Sequence, residues 1–212
     1  AIASARAGWA SDAFLGGDLS VDLLAHGSWT RLDYDDVSSA ATYRHDLSSL
    51  GFESRNSYAL APWMDLGFGL SAAYEAADST AFEANGKQPD RLSLGAYAEP
   101  RLSLAGNRLS LCPALRVDWS DDYAAGLSAM LNAVYRAGDS LKINASGGRS
   151  YRAPIFNELY WPFEDYGAWG SYQGNPHLDP ELSCSVELSA ELSLGTFSLS
   201  AESYARWVED LI

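Results

Sequence analysis

Cysteine, histidine and long apolar runs are all scarce in this chain, and each scarcity closes off a class of protein. Two Cys cannot build a disulfide scaffold or a thiolate zinc site. The three His, His26, His45 and His177, are scattered without ligand spacing. No run of about 18 apolar residues occurs, so a membrane-spanning helix is excluded. Basic residues are few: 14 Lys and Arg stand against 28 Asp and Glu, for a net charge of -14. Nucleic acid is therefore not an expected partner, because neutralising phosphates needs basic clusters. The start has no initiator Met, basic n-region or apolar h-region, so any signal peptide is expected to have been removed.

What the chain does have is period two. From Leu182 the even positions run Leu182, Cys184, Val186, Leu188, Ala190, Leu192 and Leu194, with Ser or Glu at every odd position between. That alternation lasts 13 residues, longer than the roughly five or six of an ordinary soluble strand. Leu92–Leu104 and Leu109–Trp119 repeat it, and Leu66–Ala76, Leu127–Tyr135, Leu141–Ala145 and Phe197–Trp207 follow with blemishes. Residues 43–60 are the least regular, and a bulge resetting the phase is expected there. No stretch reads as an amphipathic helix.

Connections alternate in length. Tight turns are expected at Leu15-Gly16-Gly17-Asp18, Ala61-Pro62, Ala105-Gly106-Asn107, Ala137-Gly138-Asp139 and Leu194-Gly195-Thr196. Longer polar segments lie near 35–42, 78–90, 119–125 and 154–181. This predicts about ten antiparallel strands in five hairpins, with short turns at one end and long loops at the other, as in an outer-membrane barrel. The segments around the long connections carry 18 of the 28 carboxylates. Trp29, Tyr34, Tyr74, Trp119, Tyr123, Tyr135, Tyr151 and Trp207 fall toward strand ends, where interfacial girdles sit.

The expected fold is thus all-β: an antiparallel transmembrane β-barrel, with about ten strands of a larger one. A soluble up-and-down barrel with an inward apolar face is the alternative. Both have one apolar face; strand length and uneven loops favour the membrane form. Residues 1–212 are expected to be part of the barrel domain, because neither terminus has the look of a natural boundary.

The most specific text is Arg149-Ser150-Tyr151-Arg152-Ala153-Pro154-Ile155-Phe156-Asn157-Glu158-Leu159-Tyr160, followed by Gly174-Asn175-Pro176-His177-Leu178-Asp179-Pro180-Glu181. The pair resembles the TonB-dependent receptor signature, "F-R-A-P-x-x-x-E-L-Y" and then "G-N-P-x-L-x-P-E". Arg206-Trp207-Val208-Glu209-Asp210-Leu211-Ile212 is similar to the next strand of that family. The version here is most similar to the vitamin B12 (cobalamin) and siderophore receptor branch. Tyr151 replaces the usual Phe, and Trp161–Tyr172 is an inserted aromatic loop. The resemblance implies a 22-stranded outer-membrane barrel, with a plug domain and final strands outside this chain. It implies active import of a small-molecule metal chelate, cobalamin or a ferric siderophore, energised through the TonB complex. A passive porin or adhesin barrel is the alternative function.

Several residues have two readings. Pro154, Asn175-Pro176 and Asp179-Pro180 are loop starters and enders, and Arg152 could pair with Glu158 or Glu181. Trp161, Phe163, Tyr166, Trp169 and Tyr172 form a ligand platform, or else a self-packed loop or a lipopolysaccharide contact. Asp33, Asp35 and Asp36, with Asp121 and Asp122, are either solvated loop charge or oxygen ligands for a structural Ca²⁺; the resemblance to cobalamin receptors implies calcium in the outer loops. No cofactor is required. Cys112 and Cys184 fall in opposite phases, so no disulfide joins them. No nucleophile–base constellation emerges, and no enzyme is expected.

Overall fold

The computed structural model describes residues 2–14, 17–36, 41–83 and 88–211. Ten long strands form one antiparallel sheet: β1 (Ile2–Phe14), β2 (Gly17–Asp36), β3 (Ala41–Ala61), β4 (Met64–Ser79), β5 (Asp90–Leu104), β6 (Leu109–Ser120), β7 (Gly126–Ala137), β8 (Leu141–Arg152), β11 (Glu181–Leu194) and β12 (Phe197–Glu209). Each pairs with its neighbour in chain order, and β8 pairs with β11 across the long connection. That connection holds a one-turn helix α2 (Phe156–Tyr160) and a small ribbon of β9 (Glu164–Asp165) with β10 (Ser171–Tyr172). A second helical turn, α1 (Thr80–Glu83), follows β4.

The tight turns fall where the glycines demand. Ala105, Gly106 and Asn107 all have positive φ, as do Gly138 and Gly195, the left-handed region that favours Gly and Asn. The expected turn at Leu15–Asp18 and parts of the connections at 35–42 and 78–90 lie outside the described residues.

The register gives the sheet two chemically distinct faces, because side chains alternate. On β11, Leu188 pairs with Ala145 on β8 and Ser203 on β12, whereas Glu187 pairs with Ser146 and Tyr204. Cys184 lies on the apolar side and Cys112 on the polar side; both are free thiols. The polar face carries ion pairs at two-residue spacing along single strands: Arg55–Glu53 at 2.7 Å, Arg101–Glu99 at 2.9 Å and Arg116–Asp118. Arg6 on β1 pairs with Asp22 on β2.

The apolar face has no core beneath it. Leu50, Leu70, Leu115 and Leu188 are 65%, 61%, 57% and 56% exposed. A soluble barrel would bury these side chains inside; here the loops fold over the polar face instead, and the soluble alternative is set aside. Trp29, Tyr74, Trp119 and Trp207 share the apolar face near the ends of strands and stay exposed, as girdle residues do. Tyr151 does not: its ring lies 6.4 Å from that of Tyr123 and over Gly126, where a Cβ would meet it at 2.3 Å.

The body of β3 shows no phase reset, since it keeps one register with β4 from His45 to Ala59. The register shift that the ladder does show falls between Ala59 and Ala61, at the very end of the stretch where a bulge was expected. Ser54 and Asn56 stand instead in the apolar face and satisfy each other, with Asn56 also donating to the Phe68 carbonyl at 3.2 Å. Elsewhere, the β5–β6 ladder lacks pairing between Glu99–Arg101 and Cys112–Ala114 among the described residues. Pro100 and Pro113 sit in these two gaps and have no N–H to give.

Candidate functional site

The long-connection end is built around the segment 152–181. Arg152 is the last β8 residue in the ladder, opposite Glu181. Its guanidinium reaches Glu158 at 3.0 and 3.1 Å and Glu181 at 3.5 Å, so it ties the loop's start, helix and end together. Ala153-Pro154 leaves the sheet, and Pro154 is fully buried. Glu158 then accepts from the Ile155 N–H at 2.9 Å, which satisfies a free donor at the start of α2. Leu159, 1% exposed, is the buried face of the helix.

The helix packs onto the polar face of the sheet through Arg91, at the start of β5. Arg91 is buried and forms an ion pair with Asp122 at 2.9 Å, while donating to the Pro154 carbonyl at 2.9 Å. Its guanidinium lies 5.2 Å from the Tyr123 ring centroid and 4.8 Å from that of Phe156, within cation–π range of both. The Tyr160 hydroxyl donates to the other oxygen of Asp122. Burial and then that carboxylate push the Tyr160 hydroxyl up to about 12, with Arg91 opposing.

Trp161 makes the second anchor. Its ring stacks on His45 of β3 at 6.4 Å and meets Phe82 of α1 edge-on at 5.9 Å. His45 Nδ1 in turn lies 2.7 Å from the hydroxyl of buried Ser79. The segment that leaves the sheet at β8 therefore reaches back to β5 and β3.

The two sequence motifs meet as one unit. Gly174 donates to the Trp161 carbonyl at 2.9 Å and Asn175 to the Glu158 carbonyl at 2.8 Å. A Cβ on Gly174 would come within 2.6–2.8 Å of Trp161 N, Tyr160 N and Leu159 C, so only glycine allows this approach. Asn175 caps the turn by accepting from His177 N at 3.0 Å, and Leu178 N–H reaches the Asn175 carbonyl. Pro176 and Pro180 flank that turn before β11 begins. Tyr172 donates to the Asn157 carbonyl at 3.2 Å.

The five loop aromatics divide. Trp161 belongs to the anchor just described. Phe163, Tyr166, Trp169 and Tyr172 ride on the β9–β10 ribbon, 60%, 53%, 93% and 41% exposed. Its turn, Gly167–Trp169, depends on positive φ at Gly167 and Gly170 and on the Asp165 carboxylate accepting from Gly167 N at 2.8 Å.

The acidic candidates are not brought together. Asp33 accepts from Arg44 at 2.9 Å and Asp35 from the Thr42 hydroxyl at 2.8 Å, at the end of β2. The Asp36 side chain lies outside the described residues. Asp121 accepts from Leu92 N, and both oxygens of Asp122 are engaged by Arg91 and Tyr160. Among the described residues no group of three or more His, Cys, Asp or Glu is arranged to hold a metal ion.

Sequence reasoning missed Arg91, Tyr123, His45 and Phe82. A lone Arg opening an alternating strand carries no local signal, and the three ring partners come from β3, α1 and the β6–β7 connection. Only tertiary folding of the loop brings them together.

Residues 3–212 match the family described as TonB dependent receptor-like, beta-barrel. The chain belongs to the TonB-dependent receptor family. Within it, the chain is 26% identical over 180 residues to a vitamin B12 transporter, BtuB, of Photobacterium profundum, covering 85% of this chain and 27% of the relative. A BtuB of Vibrio vulnificus is 35% identical over 74 residues, covering 35% and 11%. Among solved structures, a ferric enterobactin receptor, PfeA, from Pseudomonas aeruginosa superposes with a TM-score of 0.78 at 18% identity, over 97% of this chain and 35% of the other. The copper transporter OprC gives 0.73 at 15% identity, over 99% and 39%. These likenesses establish the barrel fold. The chain spans about a quarter of the longer-matched BtuB and about a third of these structures.

Proposed function

We propose that this TonB-dependent receptor chain is part of the wall of an outer-membrane transporter importing a scarce metal chelate, a corrinoid or a ferric siderophore, with energy delivered through TonB. The carrying observation is the two-faced sheet. Exposed leucines and a belt of Trp and Tyr cover one side, suited to lipid. Paired charges cover the other, suited to a wet lumen. The loop that folds over that polar side carries four exposed aromatic rings at its mouth. Its rival is a passive diffusion barrel, against which stands the match of residues 3–212 to the TonB-dependent receptor barrel. The relatives are named as transporters and receptors, which supports a non-enzymatic role. Calcium ordering of the outer loops is the further expectation that the Ca²⁺ arm of the test below addresses.

The test is equilibrium binding of labelled cyanocobalamin and ferric siderophores to the full-length receptor in detergent, with and without Ca²⁺. Saturable binding of at least one chelate is expected. Failure of every chelate in both conditions would overturn the reading.

A further inference from the structure

We infer that the chelate taken up at this mouth is neutral or cationic and presents a broad apolar face, and that polyanionic ferric tris-catecholates are rejected. This rests on the transporter reading above and narrows its substrate.

Two independent observations carry it. The first is charge. The segments around the long connections, 33–46, 75–90, 118–122, 152–181 and 209–210, hold 18 carboxylates and three Lys or Arg, namely Arg44, Lys87 and Arg152. The described arginines at this end are already neutralised: Arg44 by Asp33, Arg152 by Glu158 and Glu181, and Arg91 by Asp122. Arg91, placed closest to the loop's anchor, is 7% exposed behind Tyr123 and Phe156 and cannot reach a ligand. Arg149 falls on the apolar face, in register with Cys184. Arg206 is exposed on the polar face opposite Ser185, three residues before the end of β12, and is a single cation set below the carboxylate-rich loops. A trianion entering this rim meets a large excess of like charge over the few cations of these segments, which costs affinity and slows encounter.

The second observation is the ribbon. Phe163, Tyr166, Trp169 and Tyr172 are exposed within ten residues of chain, interleaved with Glu164 and Asp165. Ring faces beside carboxylates favour an apolar surface, and a cation more strongly still. Trp169 at the tip is 93% exposed and supports nothing in the fold, so its apolar area is free for a ligand.

The full-length receptor in detergent is titrated with three probes at low and high salt: cyanocobalamin (neutral), a cationic ferric trihydroxamate, and a ferric tris-catecholate (trianionic). Cyanocobalamin or the cationic chelate should bind at least about 100-fold more tightly than the trianion, and added salt should narrow the gap by screening the rim. Trp169→Ala, which cannot disturb packing, should weaken the preferred probe by about tenfold or more. Equal or tighter binding of the trianion, with affinity falling as salt rises, would overturn the inference while leaving the transporter reading standing. Failure of all three probes and of every other metal chelate to bind would overturn both.

Discussion

Arg91 and Asp122, 31 positions apart, form a buried ion pair at 2.9 Å that pins the family's motif helix to the polar face of the sheet. Removing Asp122 strands the guanidinium among Tyr123, Phe156 and Pro154, and removing Arg91 strands a buried carboxylate beside the Tyr160 hydroxyl.

Arg91→Met should therefore destabilise the loop anchor by roughly 3–5 kcal/mol, without unfolding strands whose ladders do not depend on it. The check is amide exchange across 153–180 in the full-length receptor, which should rise there and not in β11. The double change Arg91→Met with Asp122→Leu should recover much of the loss, because no charge is left buried alone.

Gly174→Ala should separate the two motif halves. Its Cβ has backbone atoms at 2.6–2.8 Å, which cannot yield as a flexible side chain can. Gly106→Ala is the contrasting control: its φ is positive, at +65°, which that of Gly174 is not, and nothing lies within 4 Å of the added Cβ. The control should cost about 1–2 kcal/mol of backbone strain and leave the loop ordered. Fluorescence from Trp161, in the anchor, should shift for Gly174→Ala alone.

Tyr160 should stay protonated well into alkaline pH. Its hydroxyl, raised to about 12 by burial and by Asp122, holds its proton more tightly folded than unfolded. The stability this contributes is present below pH about 10, the ordinary tyrosine value, and is lost as pH rises through about 12. Difference absorbance of the phenolate, wild type against Tyr160→Phe, reads the late-titrating group directly. Titration of that group near 10 would contradict the assignment.

Asn56 should be worth more as a partner than as a residue. Asn56→Ala leaves Ser54 without its bond and frees the Phe68 carbonyl, at a cost of about 1–3 kcal/mol. Replacing both Ser54 and Asn56 by apolar residues should be neutral or stabilising in lipid, because no polar group is then left unmet. Denaturant titration of the full-length receptor in bilayers separates the two.

The strands were legible because a two-sided wall repeats every second residue: Leu182–Leu194 announces β11 without help from any partner. The turns were legible from Gly106, Gly138 and Gly195. The register of β3 was not, because Ser54 and Asn56 mimic a phase slip that their mutual hydrogen bonds make unnecessary. Tyr151 was misplaced for a related reason. Its position near a strand end fits a girdle, yet Gly126 opens room for its ring beside Tyr123. The motif was visible as text, but its anchors were not: Arg91 and His45 are ordinary strand residues until the loop folds back on them.

The central claim, energised import, is tested most directly by uptake of labelled chelate into cells carrying the full-length receptor, with and without a protonophore. Accumulation that collapses when the proton gradient is removed is the predicted result. Equal flux in both conditions, levelling at the external concentration, would mean a passive pore and contradict the account.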